Sequence, residues 1–171
     1  MSIAVIAIVA AARGDTATAI KCMLLLPAAV GSRFVGVPPP WQLGFSLALA
    51  VEAVGSAAAF NTIGGWDTVA HLVLPFLSGP FLYGALERVG LRTDAGVAGT
   101  TIAAGLVTFT GVLAIGALWE LIEWAADTWF ATQFAKSYSD TVTDLLHDGI
   151  AAVASGLVVA HRSRLVTWRP G

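Results

Sequence analysis

Asp67 and His71 stand four residues apart; Glu120, Glu123 and Asp127 follow an i, i+3, i+7 spacing; Asp140, Asp144, His147 and Asp148 repeat the same rhythm. On helices each set falls on one face, so the spacing predicts three polar stripes on three helices. Seven of the eleven acidic residues and two of the three histidines lie in these segments. So many carboxylates without a neighbouring Lys or Arg repel one another, and the pattern asks for a positive partner: a bound metal ion, shared protons or a cationic ligand. Carboxylate oxygens with imidazole nitrogens suit Zn²⁺, Mn²⁺ or iron, and an all-oxygen subset suits Mg²⁺ or Ca²⁺.

The candidate metal ligands are therefore Asp67, His71, Glu123, Asp140, Asp144, His147 and Asp148. Glu120 and Glu123 are the candidate acid–base groups, with Glu120 a base or a group behind the ligands. A plainer reading applies to the outermost acids. Asp67 and Asp140 favour helix N-termini, with Ser139-Asp140 as a natural capping pair, and Asp127 and Asp148 are open to the same reading. Haem ligation by His71 and His147 is a minor alternative, since carboxylates surround both.

The elements that must position these groups are membrane helices. Of 171 residues, 57% are hydrophobic and 12% charged, with a mean hydropathy of +0.79. A soluble domain carries about a quarter charged residues, and a crossing needs about 20 apolar residues. Apolar segments run at about 2–12, 17–32, 41–60, 66–87, 98–128 and 140–161. They predict an all-α, polytopic transmembrane bundle of about six helices, the first one short. The whole chain, 1–171, is one integral membrane domain, and the acidic motifs occupy 66–148. The run Ile3 to Ala12 lacks a basic flank before it and reads as a short helix rather than a cleaved leader. Pro38 to Pro40 forbid helix continuation, while Pro75 and Pro80 predict a kink that opens a cavity inward of His71.

His71, Glu123 and Asp144 each lie five or six residues inside one boundary, about 8–9 Å at the helical rise, so they can meet at one level. Arg33, Arg88, Arg92, Arg162, Arg164 and Arg169 fall at the opposite boundary and only Lys136 on the acidic side; Arg13 breaks the pattern. Short basic loops stay in the cytoplasm, so both termini are expected to be cytoplasmic and the acidic stripes to face outward, in the plasma (inner) membrane. Trp66, Trp119, Trp124 and Trp129 fit an interfacial belt. Glu52 is a lone mid-helix carboxylate that joins the site from another side or pairs with a hydroxyl. Cys22 reads as a small buried hydrophobe, and His161, beside Arg162, as structural.

The segments Trp66-Asp67-Thr68-Val69-Ala70-His71 with Ser78-Gly79, Leu118-Trp119-Glu120-Leu121-Ile122-Glu123-Trp124, and Ser139-Asp140-Thr141-Val142-Thr143-Asp144 with Asp148-Gly149 resemble the bacterial YjdF-like family of small inner-membrane proteins. More faintly, the Asp-x-x-x-His segment and later acidic helices are similar to VanZ-like proteins. The resemblance covers roughly 41–160. This chain has Val142 where the family pattern often has glutamine, and a shorter outer loop. The resemblance implies a membrane fold and the same site residues; it brings no substrate.

Scattered basic residues and a formal charge of −2 leave no footprint for nucleic acid. The expected partners are membrane lipids, a metal or small cation, and a membrane-protein partner. No Walker loop, Gly-x-Ser-x-Gly elbow or His-Glu-x-x-His pair occurs. Three functions follow from the residues: an outward-facing metal site serving hydrolysis or ligand binding, a proton- or cation-coupled small transporter, and an accessory subunit of a larger membrane complex.

Overall fold

The computed structural model describes residues 2–58, 63–90, 98–134 and 137–163. Arg92, Lys136, Arg164 and Arg169, used above to orient the chain, lie outside the described residues. Among the described residues the chain is all-helical, with six helices: α1 (Ile3–Ala12), α2 (Thr16–Gly31) with a 3₁₀ turn at Ser32–Phe34, α3 (Pro39–Ala57), α4 (Trp66–Arg88), α5 (Ala98–Phe130) and α6 (Tyr138–Ser163).

Local chemistry sets the boundaries. Ser2 caps α1 and Asp15 caps α2, its carboxylate accepting from Thr18 N–H at 3.0 Å. Between them Gly14 supplies a φ of 77° that a side chain would strain. The proline run ends the preceding segment as expected, and α3 begins inside it at Pro39, where the missing N–H has no intrahelical role. At α6 the expected capping pair shifts by two residues. Ser137 Oγ accepts from Asp140 N–H at 3.1 Å, so Ser139 lies within the first turn.

Among the described residues, four stretches are long and apolar enough to cross a membrane: Thr16–Phe34, Trp66–Arg88, Thr101–Phe130 and Tyr138–His161. Helix α3 is 19 residues long but carries Gln42, Glu52 and two prolines, which lower its hydropathy. Helix α5 is continuous over 33 residues, about 50 Å at the helical rise, so it must tilt or protrude from a hydrocarbon core of about 30 Å. Leu43, Leu118, Leu121, Leu146 and Leu157 point outward from the bundle, as lipid-facing residues do.

The helices form two groups. Helices α1–α3 pack through an apolar cluster that includes Ile6, Cys22, Leu25 and Leu49, so Cys22 is the buried hydrophobe expected. Helices α4–α6 pack more closely, through small residues. A Cβ on Gly156 would stand 2.7 Å from the Gly105 carbonyl oxygen, and one on Gly79 would overlap Ser155 Oγ. In lipid such approach brings the dispersion contacts that hold helices together. The groups join chiefly along α3 and α4, where the Phe45 and Phe81 rings lie 4.6 Å apart.

Pro80 ties α4 to α6. Lacking an N–H, it leaves the Phe76 carbonyl without its helical donor, and Ser155 Oγ donates to that oxygen at 2.8 Å. At the far end of α4, Arg88 Nε–H donates to the Val35 carbonyl at 3.1 Å, tying α4 to the chain after α2.

Candidate metal centre

The starts of α4 and α6 and the end of α5 meet at one end of the bundle, and His71 is the hub of that meeting. Its Nδ1–H donates to Asp148 Oδ1 at 3.0 Å. A carboxylate only accepts, so Nδ1 carries a proton; whenever the ring is neutral, Nε2 then presents its lone pair to the other side. There Nε2 faces three carboxylates: Glu120 Oε1 at 3.8 Å, Asp67 Oδ1 at 4.0 Å and Asp144 Oδ2 at 4.0 Å. Such separations are too long for hydrogen bonds. They are longer than the roughly 3.3 Å between ligand atoms of a tetrahedral ion with bonds of about 2.05 Å, so closing around zinc needs a shift of at least about half an ångström.

Asp67, His71 and Asp144 each offer a ligand atom within 4.8 Å of the others, which is the spacing of a metal-binding group. Glu120 is 5% exposed, and although Thr141 and His71 are polar neighbours, neither of its oxygens makes a hydrogen bond of good geometry. Burying such a group without compensation is expensive, and a cation beside Nε2 would compensate it. Asp148, 1% exposed, is placed by sequence chemistry on α5: a Cβ at Gly116 would clash with its Oδ2 at 2.2 Å, so only glycine leaves room for this carboxylate.

The remaining candidates lie around this hub in different ways. Glu123 Oε1 accepts from Trp119 Nε1–H at 2.9 Å. Trp119 is therefore turned inward as a wall of the site rather than serving as an interfacial anchor, whereas Trp124 and Trp129, 61% and 72% exposed, suit the belt. Asp127 accepts from Thr132 Oγ1 and from Phe134 N–H, so it shapes the turn after α5, where Ala131 and Gln133 adopt positive φ. Asp140 is part-exposed in the first turn of α6. His147 stands outside the His71 group; its Nδ1 is buried without a hydrogen-bond partner.

One cation near the carboxylates is not visible in their spacing. Lys21, on α2, reaches Glu52 on α3 at 2.7 Å, and both are largely buried. The expectation that no Lys or Arg stands near the carboxylates is thereby corrected, and Glu52 pairs with a lysine rather than a hydroxyl. Lys21 interacts electrostatically with Glu123 and Asp67 as well, and its ammonium lies 5.8 Å from the Phe134 ring centroid. The missed signal was the position of Lys21 near the start of α2, at the same end of the bundle as the acidic stripes. The polar pattern of one α2 residue cannot show this without the packing of α2 on α3.

A cavity of about 400 Å³ adjoins the centre. Lys21, Glu52, Asp67, His71 and Asp148 line its polar end, and Leu74, Pro75, Ser78 and Phe81 continue it along α4. Pro75 lines this cavity, as its position predicts, whereas Pro80 is not among the lining residues.

A family model described as "Predicted membrane protein (DUF2238)" matches residues 1–164. No curated protein and no solved structure matches the chain. The YjdF-like resemblance fits this family coarsely, and the VanZ-like similarity has no counterpart among the findings.

Proposed function

Because the chain belongs to the DUF2238 family of predicted membrane proteins, we propose that it is a membrane-embedded divalent-metal protein whose centre faces outward and serves a ligand held in the adjoining cavity. The observation that carries this reading is the two-sided use of His71. Asp148 fixes one ring nitrogen at 3.0 Å while three carboxylates converge on the other. Carboxylate–imidazole–metal relays are built this way, the outer carboxylate fixing tautomer and ring direction.

Asp67, His71 and Asp144 are the ligands in this reading, and Glu120 completes the set or acts as a base toward a metal-bound water. Three protein ligands leave an open position, as sites that act on a substrate require. Glu123, held by Trp119, and the Lys21–Glu52 pair border the centre. The outward orientation rests on Arg33 and Arg88, which mark the opposite end of the bundle; cytoplasmic termini and a plasma-membrane location belong to the same proposal.

A proton- or cation-coupled transporter would need polar groups continuing from the centre to the other face. Beyond Ser78 the α4 wall offers Phe81 and Leu82, and no ionisable residue lines the cavity there, Ser32 supplying a hydroxyl, which favours a closed site over a relay. Elemental analysis of protein purified in detergent tests the proposal. One equivalent of a transition metal is expected in the wild type and less than about a tenth of that in His71→Ala and Asp144→Ala, given a loss of affinity beyond the roughly 10–100-fold typical of outer groups. A folded wild type that takes up no Zn²⁺, Mn²⁺ or Fe²⁺ on dialysis would refute it.

A further inference from the structure

The cavity beside the centre has a shape that the metal alone does not explain. Its lining runs Lys21, Leu24, Ala28 and Gly31 on α2 and Val35 just past the 3₁₀ turn that follows, and on α4 it runs Asp67, His71, Leu74, Ser78 and Leu82. Both series step by three or four residues, so the cavity is a slot parallel to the helix axes. Fourteen or fifteen residues at 1.5 Å give it a length of about 20 Å. All its charged groups gather at one end; beyond Ser78 the α4 wall is hydrocarbon.

One side of the slot is open. Helices α2 and α5 scarcely touch among the described residues, and Ala28 and Gly31 on α2 and Ile115 on α5, all slot-lining, are exposed. In a bilayer that gap meets lipid tails, so the slot is reached sideways from the membrane. Its length exceeds the roughly 15 Å of one leaflet's hydrocarbon. Its volume lies at the lower end of the roughly 300–1,000 Å³ of ligand pockets, enough for one chain but not two.

From these features we infer that the slot binds a single-chain lipid phosphate, tail along α2 and α4 and phosphate at the metal. This inference rests on the metal centre proposed above. The open metal position and the Lys21 ammonium, which keeps donors beyond its bond to Glu52, are the two cationic contacts at the slot's head end, and phosphate oxygens fit both. The carboxylates around them make phosphate binding strictly dependent on the metal: without the ion they repel the head group. A cationic amphiphile would show the reverse dependence.

The test uses wild-type protein in phosphatidylcholine nanodiscs, loaded with Mn²⁺ and titrated with dodecyl phosphate, reading paramagnetic broadening of the dodecyl phosphate ³¹P resonance. Saturable broadening is expected, abolished by chelation and weakened about ten- to hundredfold by Ala28→Phe, which overfills the slot without touching the centre. Gly31→Leu serves as a second plug, because a Cβ there meets nothing within 4 Å and the fold is spared. Both variants should bind Mn²⁺ as the wild type does. Equal broadening of inorganic phosphate, unchanged affinity in both plugged variants, tighter binding of dodecyltrimethylammonium to the metal-free protein, or no saturable broadening in Mn²⁺-loaded protein would each overturn the lipid inference alone. Failure of the wild type to bind Mn²⁺ or any other divalent transition metal would instead overturn the metal centre beneath it.

Discussion

Helices α1–α3 and helices α4–α6 solve the same problem, packing in lipid, in different ways. The first group relies on a broad apolar cluster of Ile, Leu and Phe side chains and contains one buried ion pair, Lys21–Glu52. The second brings backbones together at Gly105 and Gly156 and concentrates its polar residues around His71. Close backbone packing holds side chains to small tolerances, which is what converging ligands need. The looser group can leave a slot beside them.

The largest effect expected in the first group comes from Lys21→Met. It strands the Glu52 carboxylate, and thermal denaturation should show a loss of about 3–5 kcal/mol, most of it recovered in the Lys21→Met/Glu52→Gln double variant, with metal content unchanged. Metal loss in the double variant would show that the two groups are not separable. In the second group, Asp148→Asn should weaken metal binding about 10–100-fold in competition with a chelator while helix content by circular dichroism stays constant, because it alters the ring's hydrogen bond and not a ligand. Gly156→Ala should cost about 1–3 kcal/mol, since its Cβ meets a carbonyl that cannot rotate away. Ser155→Ala, losing only the bond to the Phe76 carbonyl, should cost about 1 kcal/mol; a loss no larger than that of a lipid-facing substitution such as Thr110→Val would show that the proline gap needs no donor.

Much of this division was legible in the sequence. Hydropathy and the proline run placed six helices to within a few residues, and helical spacing put Asp67 with His71 and Asp144 with Asp148. Spacing alone could not tell that Asp148 takes the opposite ring nitrogen from Asp144, because that depends on how α4 and α6 are rotated against each other. Nor could it separate Trp119 from Trp124: both flank the glutamates, and only the neighbours of α5 decide which faces lipid. Lys21 was invisible for a related reason. A single lysine near a helix start reads as interfacial until the helix opposite supplies Glu52.

The bond from Ser155 to the Phe76 carbonyl has a mechanical consequence. Together with His71–Asp148 it pins α4 to α6 at two points, five residues apart on one helix and seven on the other. One pin would permit pivoting and none would permit sliding; two remove both freedoms. Helices α4 and α6 therefore move as a single rigid strut, and any widening of the slot falls to movement of α2 and α3 against it.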